Sequence, residues 1–244
     1  MFHVKQGRQV SPESDPSSIG RAVREKVVAR LRNLSCAPAD IHRFAECLER
    51  LATNLALWGR TANLTAHPDD PVEVAFHTID SLMPAVIAAG PEPGILAGAF
   101  GADRKILDIG SAAGFPGLVL AAATAASFTL AESRRKRASF LSVTIAEMGL
   151  DNVRVDTARI TPSHFSPEFD LVSARAMGEP ASFYPIAASA LRPSGLAMLY
   201  ASPSQRLSLD AARAAGLGEY VRRAYAVERD GARVERVLAI WRKH

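Results

Sequence analysis

The chain has 244 residues, 48% apolar and 22% charged, enough for one α/β domain with a small extension and ordinary for a globular protein. No uninterrupted apolar run reaches the roughly 20 residues of a membrane span, and residues 1–20 lack an apolar signal core, so a cytoplasmic protein without a membrane partner is expected. A net charge of +4 permits a nucleic-acid partner without requiring one, and Cys36 and Cys47, in no metal-ligand spacing, read as reduced structural thiols.

Residues 1–18, rich in Ser, Pro and charge, are expected to be a disordered tail. A helical extension over 19–89 follows. Its first helix carries Ile19, Val23, Val27, Leu31 and Leu34 at spacings of three and four. Its second starts at Pro38 and Asp40, with Ile41, Phe44, Leu48, Leu51 and Leu55 on one face and Gly59 as the C-cap. Asp70-Pro71 opens the third, in which Val72, Phe76, Ile79 and Met83 share a face and Pro84 ends or kinks the helix.

The Gly/Pro-rich segment 90–104 reads as a linker to the main domain, 105–244. There the period changes. Short β-rich runs at 106–109, 128–130, 153–155, 169–172 and 196–200 alternate with helical stretches, which predicts a parallel sheet covered on both faces. Two last runs, 220–228 and 234–241, flank Asp230-Gly231 and are expected to pair as an antiparallel hairpin.

The most informative stretch is Lys105 to Leu118, an apolar strand entering a glycine-rich turn that opens an alanine-rich helix, so that a ligand can press against backbone. The dinucleotide fingerprint G-x-G-x-x-G fails, because Ala112 and Phe115 stand at its second and third glycines. A P-loop fails too, for want of the Lys-Ser/Thr ending. What stands is D-x-G-x-x-x-G, with Asp108, Gly110 and Gly114. Glu132, at the end of the next strand, can accept hydrogen bonds from both hydroxyls of a ribose.

Five parallel units and a terminal hairpin resemble the Rossmann-like fold of S-adenosylmethionine-dependent methyltransferases. More specific runs resemble one family, the RsmG (glucose-inhibited division protein B) methyltransferases. They are Asn63-Leu64-Thr65, His77-Thr78-Ile79-Asp80-Ser81-Leu82, Gly114-Phe115-Pro116-Gly117, Glu132-Ser133-Arg134-Arg135-Lys136-Arg137, Arg159 and Ser173-Ala174-Arg175-Ala176. The resemblance implies methyl transfer from S-adenosylmethionine to N7 of a guanine in 16S rRNA, free or in the small ribosomal subunit. It places Asp108, Gly110, Gly114, Phe115, Glu132, Ile160, Thr161 and Arg175 at the cofactor. The chain departs from the family at Ala112, where a glycine is usual. It departs also at Gly59 (asparagine), Phe76 (arginine), Thr161 (glutamate) and Ala201-Ser202 (lysine-glycine). Methyl transfer to another RNA or a small molecule, and cofactor binding without catalysis, therefore stay open.

Guanine N7 exposes a lone pair, so no catalytic base is expected, and proximity and orientation carry the rate. His77 and Asp80, three apart on one helix, read as a hydrogen-bonded pair holding the helices to the sheet. Without a third partner they make no metal site. Arg175, after the fourth strand, can hold a methionine carboxylate or a phosphate. Arg134, Arg135, Lys136 and Arg137 begin a helix, where cations oppose the macrodipole, and are expected to contact RNA phosphates. Arg21, Arg24, Lys26, Arg30 and Arg32 add charge to the first helix. Phe115 and Tyr200 are the aromatic candidates for base stacking. Nothing demands a dimer, so a monomer is expected.

Overall fold

A computed structural model describes residues 15–32, 38, 40–175 and 179–244. Most of the expected tail lies outside these residues, as do Leu34, Cys36 and Ala176. Three helices come first. The α1 helix, Pro16–Leu31, is capped by Asp15 and buries Ile19, Val23, Val27 and Leu31. It starts inside the stretch read as a tail. Asp40 caps α2, Ile41–Ala62, through a bond from the Arg43 amide, and Phe44, Leu48, Leu51 and Leu55 are buried.

Gly59 is not the cap of α2. It lies inside the helix, where a Cβ would come within 2.1 Å of Pro68, and Asn63 at φ +51° ends the helix. The third helix, α3, Pro71–Ala89, runs through Pro84. Its length and hydropathy would allow it to cross a membrane, but it is a core helix that buries Val74, Phe76, Ile79, Leu82 and the carboxylate of Asp80. The segment 90–104 holds one 3-10 turn, Gly94–Leu96.

The seven-stranded sheet has the order β3-β2-β1-β4-β5-β7-β6. Its strands are β1 Lys105–Ile109, β2 Ser127–Ala131, β3 Val153–Asp156, β4 Phe169–Arg175, β5 Leu191–Ala201, β6 Leu217–Arg229 and β7 Ala232–Lys243. The first five are parallel; β7 runs antiparallel to β5 and to β6. The alternation of β-rich and helical runs thus gives the expected sheet and hairpin. Between the strands lie α4 Gly117–Ala123, α5 Arg135–Met148, α6 Phe183–Ala190 and α7 Leu209–Ala214. One apolar cluster joins the three N-terminal helices to α4, α5 and one face of the sheet, and a second fills the other face under α6.

The register sets the position of the hairpin. Ala201, the last residue of β5, pairs with Val237, so the tip at Asp230-Gly231 projects past the carboxyl ends of the parallel strands. That tip meets the N-terminal helices, where Arg30 of α1 pairs with Glu228 and Arg229 pairs with Glu73 of α3.

Candidate functional site

Chain order reverses between β1 and β4, and in open α/β sheets ligands bind outside the carboxyl ends of strands at such a switch point. The loop after β1 lies there. The amides of Gly110 and Ser111 donate to the Ala131 carbonyl at 2.9 and 3.3 Å, and Ser111 Oγ donates to the Asp108 carbonyl at 3.0 Å. The glycines have different jobs. A Cβ on Gly117 would meet Leu130 at 2.3 Å, and one on Gly114 would meet Leu118 at 2.5 Å, so both serve packing. Gly110, at φ +73°, has nothing within 4 Å where its Cβ would be. Open space against bare backbone is what a ligand needs.

Two carboxylates flank this opening. Asp108, wholly buried, accepts from Ser173 Oγ at 2.9 Å through Oδ1, while its Oδ2 has no hydrogen-bond partner among the described residues. Burial pushes its carboxyl up to about 6, against the opposing pull of the Ser111 and Ser173 hydroxyls, the nearby Gly117 amide and the Arg175 charge. Glu132, 5% exposed at the end of β2, accepts from the Arg134 amide at 2.8 Å and the Ala112 amide at 3.2 Å. It ties the loop of β1 to the loop of β2. A carboxylate offers about four acceptor positions, so two remain for a ligand's hydroxyls.

Ala112 holds φ +40°, keeping the left-handed turn that a glycine would adopt without strain. After β3 the same edge carries Ile160, half-buried, and Thr161, exposed. Their loop is closed by Asp156, which accepts from the Ala158 amide at 2.8 Å and contacts His164 Nε2 at 3.0 Å.

The cation run divides. Arg134, Arg135 and Lys136 are exposed, and none forms an ion pair with a described residue. Arg137 instead turns back onto α2, donating to the carbonyls of Ala62 at 3.3 Å and Asn63 at 2.5 Å. It caps a helix C-terminus. The α1 cations are largely neutralised, since Arg21, Arg24 and Arg30 pair with Asp15, Glu49 and Glu228.

On the β4 side, side chains from four elements meet. Asp80 of α3, fully buried, faces Arg175 at 3.0 Å and Arg236 of β7 at 3.1 Å, and the Tyr225 hydroxyl of β6 donates to it at 2.6 Å. Arg175 also donates to His77 Nδ1 at 2.7 Å, to Ser81 Oγ at 3.1 Å and to the His77 carbonyl at 3.3 Å. The terminal N–H bonds of Arg175 are thus used on α3, which revises the expectation of a free carboxylate clamp. His77 and Asp80 do hold α3 to the sheet, but through Arg175 rather than through each other.

The expected stacking platforms are also revised. Tyr200 of β5 is buried, with its hydroxyl on the Ser81 carbonyl at 2.8 Å, and Phe115 is buried against His77, ring centroids 5.6 Å apart. Tyr225 and Arg236 were not foreseen. Their signal, alternation on a hairpin, is shared by every residue of β6 and β7. No cluster of three potential metal ligands occurs among the described residues.

Residues 45–228 match the family described as GidB, rRNA small subunit methyltransferase G. The chain is 30% identical over 189 residues to the ribosomal RNA small subunit methyltransferase G of Chromobacterium violaceum, covering 69% of this chain and 85% of that protein. With its counterpart from Stenotrophomonas maltophilia it shares 30% over 196 residues, 79% and 82% of the two chains. Among solved structures, a Galdieria sulphuraria protein assigned as a sarcosine dimethylglycine methyltransferase superposes with a TM-score of 0.53 at 13% identity, over 71% of this chain and 88% of that one. An Agrobacterium tumefaciens protein assigned as an O-methyltransferase gives 0.50 at 19% identity, over 67% and 80%. These two carry the fold alone. The chain belongs to the rRNA small subunit methyltransferase G family, whose members are S-adenosylmethionine-dependent rRNA methyltransferases.

Proposed function

We propose that this protein methylates N7 of a guanine in 16S rRNA, as a monomer in the bacterial cytoplasm. The observation that carries the reading is the open backbone at Gly110, tied through Glu132 to a loop that begins the exposed cations Arg134, Arg135 and Lys136. The residues fit the cofactor. Glu132 has acceptor positions left for ribose hydroxyls, the unpartnered Asp108 Oδ2 lies under the loop, and Ile160 and Thr161 border the same edge. Phe115, packed on His77, and Gly114, against Leu118, fix the shape of the loop.

S-adenosylmethionine, held by Glu132 and the loop after β1, would supply an electrophilic methyl group with a neutral thioether as leaving group, and guanine N7, whose lone pair is already exposed, would need no proton removed first. The protein's task is therefore to align base and cofactor, a contribution of about 7–11 kcal/mol in favourable systems. Arg134, Arg135 and Lys136 would hold phosphates, while Arg175 fixes His77 and α3 beside the acceptor.

The test supplies methyl-labelled cofactor with small subunits, naked rRNA or a metabolite pool. Label at guanine N7 of rRNA is the expected result. Label in another RNA or only in small molecules would favour a second reading, which the exposed Thr161 and the Ala201-Ser202 departure motivate. Calorimetry should show cofactor binding that Gly110→Trp abolishes, and no binding by wild type would refute both readings.

A further inference from the structure

From Val74 to Leu82 every residue of α3 is buried except His77. Its ring lies between Phe76 and Phe115 of the cofactor loop, with centroids at 5.5 and 5.6 Å. Arg175 donates to Nδ1 at 2.7 Å. A guanidinium has no acceptor, so Nδ1 must carry the lone pair and the proton must sit on Nε2. Among the described residues the ring makes no other hydrogen bond. The result is a neutral imidazole of fixed tautomer, half-buried against Phe115 of the cofactor loop, with one N–H that has no partner among the described residues.

We propose that His77 is the residue that reads the target base, its Nε2–H donating to O6 of the guanine whose N7 is methylated. This rests on the guanine-N7 reading above and deepens it. Guanine presents two acceptors, N7 and O6, on one edge, whereas adenine presents N7 beside an N6 amino donor. An N–H placed for O6 meets a donor when adenine enters, so the same contact that aligns guanine rejects adenine. Neutrality matters too. Methylation at N7 leaves a positive charge on the base, which a protonated imidazole would oppose. Asp80 on its own helix, Arg175 of β4, Arg229 of β6 and Arg236 of β7 all act on the ring, and burial with the net cation excess keeps it uncharged.

The experiment uses the full chain and small-subunit rRNA in which the guanine labelled by wild type is replaced by 2-aminopurine, which keeps N7 and loses O6. Wild type should lose about 10- to 100-fold in kcat/KM on that RNA, the discrimination typical of one specific base contact. His77→Phe should lose a similar factor on guanine RNA and treat the two RNAs alike. His77→Gln, which retains an N–H donor, should recover part of the preference. Calorimetric binding of S-adenosylmethionine to each variant reports that the site is folded; if His77→Phe fails there, His77→Gln carries the test and must still prefer guanine. A folded His77→Phe that keeps the full preference overturns the proposal and leaves the guanine-N7 reading intact. Absence of guanine label from wild type overturns that reading itself and this inference with it.

Discussion

The two sides of the carboxyl edge are built from different materials. On the β1–β2 side the walls are backbone: the bare face of Gly110 and the amides of Ala112 and Arg134 gathered by one carboxylate. On the β4 side they are charged side chains from α3, β4 and β7 with a tyrosine hydroxyl from β6, buried together. A backbone wall holds its shape through the sheet and needs little from any one side chain. A buried ionic wall depends on every partner being present.

The sharpest contrast is between the two carboxylates. Asp80→Ala leaves the Arg175 and Arg236 guanidiniums facing each other without their shared carboxylate, and should cost about 3–5 kcal/mol of stability. Glu132→Gln keeps one acceptor oxygen for the two amides and should cost far less stability, while weakening cofactor binding. Urea denaturation and calorimetry on both variants measure this. Equal losses of stability would show that the two walls are not different in kind.

A second test uses pH. His77 stays neutral in the fold down to about pH 4, against 6.5 in an open chain, because burial and then Arg175 disfavour its charge. Between those values the unfolded chain binds the extra proton, so this group makes stability rise with pH. Asp108 does the opposite. Burial holds its carboxyl at about 6 instead of 3.8, the folded chain carries the extra proton between those values, and stability falls as pH rises. Each shift corresponds to about 3 kcal/mol, so one wall offsets the other across pH 4–6. Relative to wild type, His77→Phe should make stability fall over that range and Asp108→Asn should make it rise. Urea midpoints at a series of pH values read both slopes, and variants parallel to wild type would remove the opposition.

The same division explains what the sequence revealed. The backbone wall was legible because its glycines, Asp108 and Glu132 lie in two short runs whose spacing reports a strand, a turn and a helix. The ionic wall was half legible. His77, Asp80 and Arg175 stood out, but the direction of the guanidinium depends on how α3 docks on the sheet, which no local pattern encodes. Arg236 and Tyr225 lie some 150 residues from Asp80 and reach it only through the overhang of the hairpin. Gly59 misled for a related reason: a glycine that makes room for Pro68 looks in sequence like one that ends a helix.

The cation run sharpens the contrast at lower energy. Removing an exposed phosphate contact should lower the salt slope of RNA binding by about 1, so Arg134→Ala, Arg135→Ala and Lys136→Ala together should lower it by up to about 3 without changing stability. Arg137→Ala should do the reverse, costing about 1–3 kcal/mol through the lost α2 cap and leaving the slope nearly unchanged. Filter binding across a salt series and thermal melts separate the four. A slope that falls equally for Arg137 would move it from the scaffold to the RNA face.

The smallest expected effect tests the backbone wall at its one strained point. Ala112 holds φ +40° where its Cβ crowds the chain, and a glycine there is free of that strain. Against this stands the greater entropy a glycine loses on folding, so Ala112→Gly should stabilise by no more than about 1 kcal/mol. The amide that donates to Glu132 is unchanged by the substitution, so the tie between the two loops should survive and cofactor affinity should not fall. If affinity falls while stability rises, the Ala112 methyl itself contacts the ligand, and this wall is not backbone alone.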